Sequence, residues 1–316
     1  MAVTPTASKQ AASAARRPPG RAFVIGLPYI FLLAFFLLPF LIVFRISLAE
    51  MDGVRVSDLV TYTEGMLTLK LKLSNYVFIT QDDLYFKTYL SSVMFAGVTT
   101  AICLLIGYPF AYFMARARPT LQPALLMLVM LPFWTSFLLR VYAWRGLLGE
   151  NGWVSNLLQA TGIDHVLAAF GWIPTAGQFM NTPFSLTVGM VYTYLPFMIL
   201  PLYSTLSKMD LRLLEAANDL GATPWVAFWK VTVPLSKAGI IAGSMLVFIP
   251  CIGEFVIPEL LGGPQTLMIG RVLWDEFFSN NDWPMASTVA IVMILLIIVP
   301  LAIFNKYQSE AVEVRQ

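Results

Sequence analysis

Four carboxylates gather toward the carboxyl terminus, with aromatic residues between them. Glu254 and Glu259 lie in the run Ile249-Pro-Cys-Ile-Gly-Glu-Phe-Val-Ile-Pro-Glu-Leu-Leu-Gly-Gly-Pro264, and Trp274, Asp275, Glu276 and Phe277 follow. An organic ammonium leaves water only where anions replace its hydration, and aromatic faces suit the rest of its surface. The set therefore fits an organic cation. The plainer reading is a solvated loop with an aromatic belt at a membrane interface. Glu254 is the most telling, because the 16 residues from Ala238 to Gly253 carry no charge. A carboxylate in hydrocarbon costs on the order of 3 kcal/mol, so it should face a bundle interior or a wet cavity. Gly253 and Pro258 are placed to open a helix around it. Arg140 or Arg145 is the alternative, purely structural partner.

Other chemistry is poorly supplied. His165 is the one histidine, so neither a Ser-His-Asp set nor a metal-binding imidazole pair is credible. Cys103 and Cys251 sit inside apolar runs and read as small core hydrophobes. The phosphate-cradling pattern G-x-x-x-x-G-K-[ST] is absent. No enzyme is expected, and no metal or cofactor held by this chain. The net charge of +2 gives no reason to expect a nucleic-acid partner.

The elements that position these residues are membrane helices. The 316 residues are 58% hydrophobic and 12% charged, with a mean hydropathy of +0.73. Soluble domains are closer to half apolar and a quarter charged. Charge-free stretches predict an all-α bundle of six spans at about 23–44, 89–115, 121–139, 182–207, 238–260 and 283–305. Pro109, Pro132, Pro196, Pro201, Pro250 and Pro300 interrupt them. Residues 1–21 are Ala-, Ser-, Thr- and Pro-rich, basic and free of acids, which predicts a disordered cytoplasmic tail; 308–316 form a second tail. With both termini cytoplasmic, twelve of the 20 Lys and Arg fall inside, and thirteen of the 18 acids outside or in the outer membrane half. Between the first two spans, Thr68-Leu-Lys-Leu-Lys-Leu-Ser alternates like an amphipathic strand. Asn151 to Leu158 reads as a short interfacial helix with Trp153, Val154, Leu157 and Leu158 on one side.

The longest amphipathic segment lies in the inside loop 208–237. Leu213, Ala217 and Leu220 share a face, with Leu214 and Ala216 beside it, and Glu215, Asn218 and Asp219 lie opposite. Gly221 is placed to stop the helix, and Thr223-Pro224 to start another. The sequence Glu215-Ala216-Ala217, three residues, Gly221, nine residues, Val231-Thr-Val-Pro234 resembles the EAA loop of the membrane subunits of bacterial ATP-driven importers. There the ending is Ile-x-Leu-Pro, so the two valines depart conservatively. The resemblance implies that Glu215, Ala216, Ala217, Gly221 and Pro234 belong to a coupling helix that docks on an ATPase.

Further stretches narrow the likeness. Leu-Pro-Phe40-Leu-Ile-Val-Phe, Leu-Leu-Ile-Gly107-Tyr-Pro109, Trp134-Thr-Ser-Phe-Leu-Leu-Arg140-Val-Tyr142-Ala-Trp144 and Gly253 to Gly263 resemble the first permease subunit of bacterial polyamine importers, the putrescine type above all. This implies the type I ABC importer permease fold in the inner membrane. It also implies a second six-span permease, two ATPase subunits that bind ATP and Mg, and a periplasmic polyamine-binding protein. Glu254, Glu259, Trp274, Asp275, Glu276 and Phe277 become the candidate path for putrescine or spermidine. The alternatives are a permease for another small solute, such as an iron chelate or a sulfonate, and an ion-coupled secondary carrier. An inverted repeat would favour the carrier, and none is visible.

Overall fold

The computed structural model describes residues 19–313 apart from 54, 58, 59, 64, 65 and 70. The predicted disorder of the basic tail falls mostly outside these residues. Helix α1 covers Pro19–Leu32, passes a π turn at Leu33–Leu37 and continues through Leu38–Ser47. Two short hairpins follow, β1 (Met51–Asp52) with β2 (Arg55–Val56) and β3 (Val60–Thr63) with β4 (Met66–Leu69). The expected strand beginning at Thr68 is displaced. Among the described residues it runs from Met66 to Leu69, with Met66 paired to Thr63 and Leu69 to Val60.

Helix α2 (Ser74–Gln81) leads into α3 (Asp83–Arg116). Asp82 caps α3 by accepting from the Leu84 N–H at 2.8 Å, so the helix begins six residues before the charge-free run. The expected third span is two helices, α4 (Gln122–Met130) and α5 (Phe137–Leu148), with a 3₁₀ turn at Leu131–Trp134 and an 87° bend between them. Pro132 supplies no N–H, and the Thr135 hydroxyl donates to the Pro132 carbonyl at 2.8 Å, closing the turn. The charge at Arg140 set the expected end at Leu139, yet α5 runs on to Leu148 with Arg140 buried.

Outside the main bundle, α6 (Trp153–Ala160) and α7 (Ile163–Ala169) form a small hairpin. The expected apolar stripe of α6 is split, since Trp153 and Leu157 are exposed while Val154 and Leu158 pack against Leu148, Ile173 and Phe179. Helix α8 (Pro183–Leu206) starts in a Thr182–Ser185 capping box. Helices α9 (Arg212–Asp219) and α10 (Pro224–Leu235) precede α11 (Lys237–Ile252), a break at residues 253–255, and α12 (Val256–Leu261). After α13 (Ile269–Trp274), α14 (Trp283–Glu313) carries helix through most of the expected 308–316 tail.

The core is the mutual packing of α3, α8 and α11. Helix α11 approaches α8 through Gly239 and Gly243, one turn apart. A Cβ at Gly243 would lie 3.0 Å from the Met198 carbonyl oxygen, and one at Gly239 2.6 Å from the Thr205 hydroxyl. Small residues at this spacing let membrane helices come into backbone contact. Hydrogen bonds add to the packing: Tyr89 donates to the Val289 carbonyl at 2.8 Å, and Ser185 to that of Leu261 at 2.7 Å. Helix α1 packs on α14, but nothing of its most apolar 18-residue window is buried. Among the described residues, four helices (Val24–Ser47, Asp83–Arg116, Pro183–Leu206 and Trp283–Ala302) are long and apolar enough to cross a membrane, and two bent pairs pass the same test together.

Candidate functional site

Two regions carry the predicted residues. In the first, α9 ends in a Schellman motif: Ala222 N–H donates to the Ala217 carbonyl at 3.0 Å and Gly221 N–H to that of Asn218 at 2.9 Å. Gly221 takes φ +83°, the left-handed conformation expected of a stop. The Thr223 hydroxyl accepts from Val226 N–H at 3.4 Å, and Pro224 opens α10, again as expected. Ahead of Pro234 the helix widens into a π turn over Phe228–Thr232, with Val233 N–H reaching the Phe228 carbonyl. A proline without an N–H favours such a local rewinding. Phe228 meets the rings of Tyr108 and Tyr112 edge-on, and Tyr108 and Ser236 share a hydrogen bond of 2.8 Å. The carboxyl-terminal end of α3 thus anchors α10.

The predicted apolar side of α9 is divided: Leu214 and Ala217 are half-buried, while Leu213, Ala216 and Leu220 are exposed. Leu214, Glu215 and Asn218 line a cleft of about 320 Å³ with Arg116 and Tyr112 of α3. Leu213, Ala216 and Leu220 point out, Leu220 with 89% of its surface exposed. Trp225 is 70% exposed beside them. An amphipathic helix ordinarily turns its apolar stripe to its own core. Here Leu213, Leu220 and Trp225 are left uncovered by the described residues.

The second region is the break in the fifth helix. Helix α11 stops at Ile252, and the Glu254 side chain caps the N-terminus of α12. Its Oε1 accepts from the backbone N–H groups of Phe255 at 3.1 Å and Val256 at 3.0 Å. Oε2 accepts from the Tyr194 hydroxyl at 2.6 Å. Every one of these donors is neutral. The expected alternative of Arg140 or Arg145 as partner is not realised. The Arg140 guanidinium lies instead over the rings of Phe133, at 5.3 Å, and Phe137. Phe255 stacks on Trp274 at 4.5 Å and 9°, and Trp274 meets Phe278 at 4.1 Å, so an aromatic wall adjoins Glu254. Helix α13 abuts the break closely, because a Cβ at Gly270 would lie 2.4 Å from the Gly253 carbonyl oxygen. Ser92 of α3 accepts from the Ile269 N–H at 2.7 Å and fixes that helix start.

The other predicted carboxylates are not gathered around Glu254. Glu259 pairs with Arg271 at 2.6 Å, and Asp275 stands 4.0 Å from the same arginine. Glu276 accepts from Tyr85 at 2.7 Å and from Asn280 at 2.9 Å. Phe277 packs against Phe278 and Trp283. Reading the sequence missed Tyr194, Tyr85, Arg271 and Phe255. The spacing Arg271 to Asp275 is a helical i,i+4 pair and was readable. Nothing local links Tyr194 to a carboxylate 60 residues away.

With this geometry in place, the comparisons decide the family. A family model described as the binding-protein-dependent transport system inner membrane component matches residues 103–314. The chain belongs to that family. It is 38% identical over 285 residues to the spermidine/putrescine transport system permease protein PotB of Haemophilus influenzae, covering 90% of this chain and 92% of that one. It is 40% identical over 222 residues to PotB of Escherichia coli strain K12, covering 69% and 78%. Among solved structures, a bacterial ABC transporter involved in import of the polysaccharide alginate superposes with a TM-score of 0.63 at 16% identity, over 92% of this chain and 96% of that one. At that identity the likeness is one of fold. The chain is an inner-membrane component of a transport system, and the helical permease fold expected of the family is present.

Proposed function

We propose that the chain is the permease subunit of an ABC importer that carries polyamines, putrescine or spermidine, across the inner membrane by alternating access. Its relatives' names give the cargo class. Among the residues themselves, the observation that carries the reading is Glu254, a half-buried carboxylate held by neutral donors beside the wall of Phe255, Trp274 and Phe278. No cation among the described residues pairs with it, so its carboxylate is open to a passing ammonium. Glu259 and Asp275 stand beside Arg271, which offsets their charge, so they serve the path less directly.

In this reading each bent pair completes a span, giving six, and both termini are cytoplasmic by the distribution of Lys and Arg. A second six-span permease joins this one. Two ATPase subunits bind ATP and Mg and receive α9 and α10, the segment that carries Glu215, Ala216, Ala217, Gly221 and Pro234. A loaded periplasmic binding protein docks outside. Closure of the ATPase dimer pushes α9 and α10, and the rigid anchoring of Phe228 on α3 passes the motion into the bundle. The path opens outward, the cation enters, and hydrolysis resets it. Uptake by the full complex in proteoliposomes tests this. Labelled putrescine or spermidine should accumulate only with ATP and the binding protein, and accumulation driven by a proton gradient without ATP would refute it.

A further inference from the structure

Arg116 is the last residue of α3, and Glu215 lies in the first turn of α9. Both line the cleft of about 320 Å³ behind α9, yet these opposite charges do not meet across it. The Arg116 guanidinium lies over the ring of Tyr112, 4.9 Å from its centre, and has no carboxylate partner among the described residues. Glu215 takes no hydrogen bond and pairs with no cation among those residues. Both side chains are exposed, so neither is closed off from a partner by the rest of the chain.

The walls of this cleft are held unequally. Helix α10 is fixed to α3 by Phe228 against Tyr108 and Tyr112, and by the Tyr108–Ser236 hydrogen bond just beyond it. Helix α9 reaches that anchored unit only through the turn at Gly221. Among the described residues no side-chain hydrogen bond, ion pair or ring contact joins α9 to α3. The two sides of α9 are also distinct. Leu214, Glu215 and Asn218 line the cleft, while Leu213, Ala216 and Leu220 are exposed and take no part in it. At 100° per residue the two sets point about 180° apart. A load on the exposed leucines therefore drives Glu215 toward Arg116.

We propose that Arg116 is the residue of α3 that receives the coupling movement: the cleft closes when α9 is loaded, and Glu215 pairs with Arg116. A guanidinium and a carboxylate pair through two parallel N–H···O bonds, and expelling water from the cleft strengthens a contact that is weak while exposed. The push then enters α3 directly as well as through α10. The inference rests on α9 and α10 being the coupling element, as proposed above, and adds to it a contact within this chain.

The test uses the complete complex with the loaded binding protein, and reads stimulated ATP hydrolysis per assembled complex. Arg116→Met and Glu215→Gln keep side-chain length and remove one charge each. Each should lower stimulation roughly fivefold, and the double variant should be no worse than either single, because one pair can be lost only once. Arg116→Lys should keep more stimulation than Arg116→Met. Losses that multiply in the double variant overturn the inference, since the two residues then act separately. So does normal stimulation with Arg116→Met. Closure is read on its own in a complex carrying Arg116→Cys and Glu215→Cys together; Cys103 and Cys251 are buried, out of a reagent's reach. A short bifunctional maleimide should join the two positions faster after trapping with ATP and vanadate than without nucleotide, scored by mass spectrometry of the joined peptides. Equal rates overturn the closure and the inference with it. A wild-type complex whose hydrolysis the binding protein does not stimulate overturns the coupling reading itself.

Discussion

At the scale of single residues, the four candidate carboxylates divide by the charge of their partners. Glu259 and Asp275 stand beside a cation, Arg271, whereas Glu254 takes its hydrogen bonds from a phenol and backbone amides. Glu254→Gln keeps an acceptor oxygen for the α12 cap and removes the charge. Polyamine uptake should fall roughly tenfold or more, about 1.4 kcal/mol of lost cation stabilisation. ATP hydrolysis stimulated by the binding protein should stay near normal, and the melting temperature should change little, because no buried arginine is stranded. Unchanged uptake at low substrate concentration would remove Glu254 from the path. Glu259→Gln should behave differently. It weakens the pairing of Arg271 that ties α12 to α13, so the melting temperature should drop while uptake per folded complex is kept; a specific loss of uptake would return Glu259 to the cargo site. The importance of Glu254 was legible from a charge at the end of an apolar run. Its partner was not, because Tyr194 comes from another helix and tyrosine is unremarkable inside a membrane bundle.

At the scale of elements, two glycines do different jobs and their variants should fail differently. Gly221 needs φ +83° and has open space around it, so a side chain there strains only the backbone. Gly221→Val should cost about 1–2 kcal/mol locally and misdirect α9 against α10. The complex should reach the membrane at near-normal levels yet lose ATP hydrolysis stimulated by the binding protein. Retained stimulation would exclude α9 and α10 as the coupling element. Gly243 lies instead in the α8–α11 contact, where a Cβ would be 3.0 Å from the Met198 carbonyl oxygen. Gly243→Val should overpack that crossing by about 1–3 kcal/mol and lower both melting temperature and membrane level. The helix–turn–helix itself was legible, because Gly221, Thr223 and Pro224 are local signals. Its facing was not. Leu213 and Leu220 form a stripe that periodicity assigns to the chain's own core, and only the fold reveals that α10 is anchored through Phe228 while α9 turns its leucines out.

At the scale of the whole molecule, the chain ends in surfaces that it cannot cover. The most apolar window of α1 has none of its residues buried, α5 exposes Leu138 and Leu139 around Arg140, and α9 and α10 expose Leu220 and Trp225. Lipid can cover the first, whose window is apolar throughout. Charge-free runs located all the long helices, yet misplaced their ends wherever a charge sits inside a helix, as Arg140 does in α5. The same surfaces bear on what the isolated chain can do. The sequence lacks the phosphate-cradling pattern G-x-x-x-x-G-K-[ST], and in the proposed assembly the energy source and the rest of the path belong to other subunits. Reconstituted alone in liposomes with ATP and the binding protein, it should move no polyamine. Adding the second permease without the ATPase should restore assembly but not accumulation, and adding all components should restore both. Accumulation by the chain alone would mean that its uncovered faces close on a second copy of itself and that the energy comes from elsewhere.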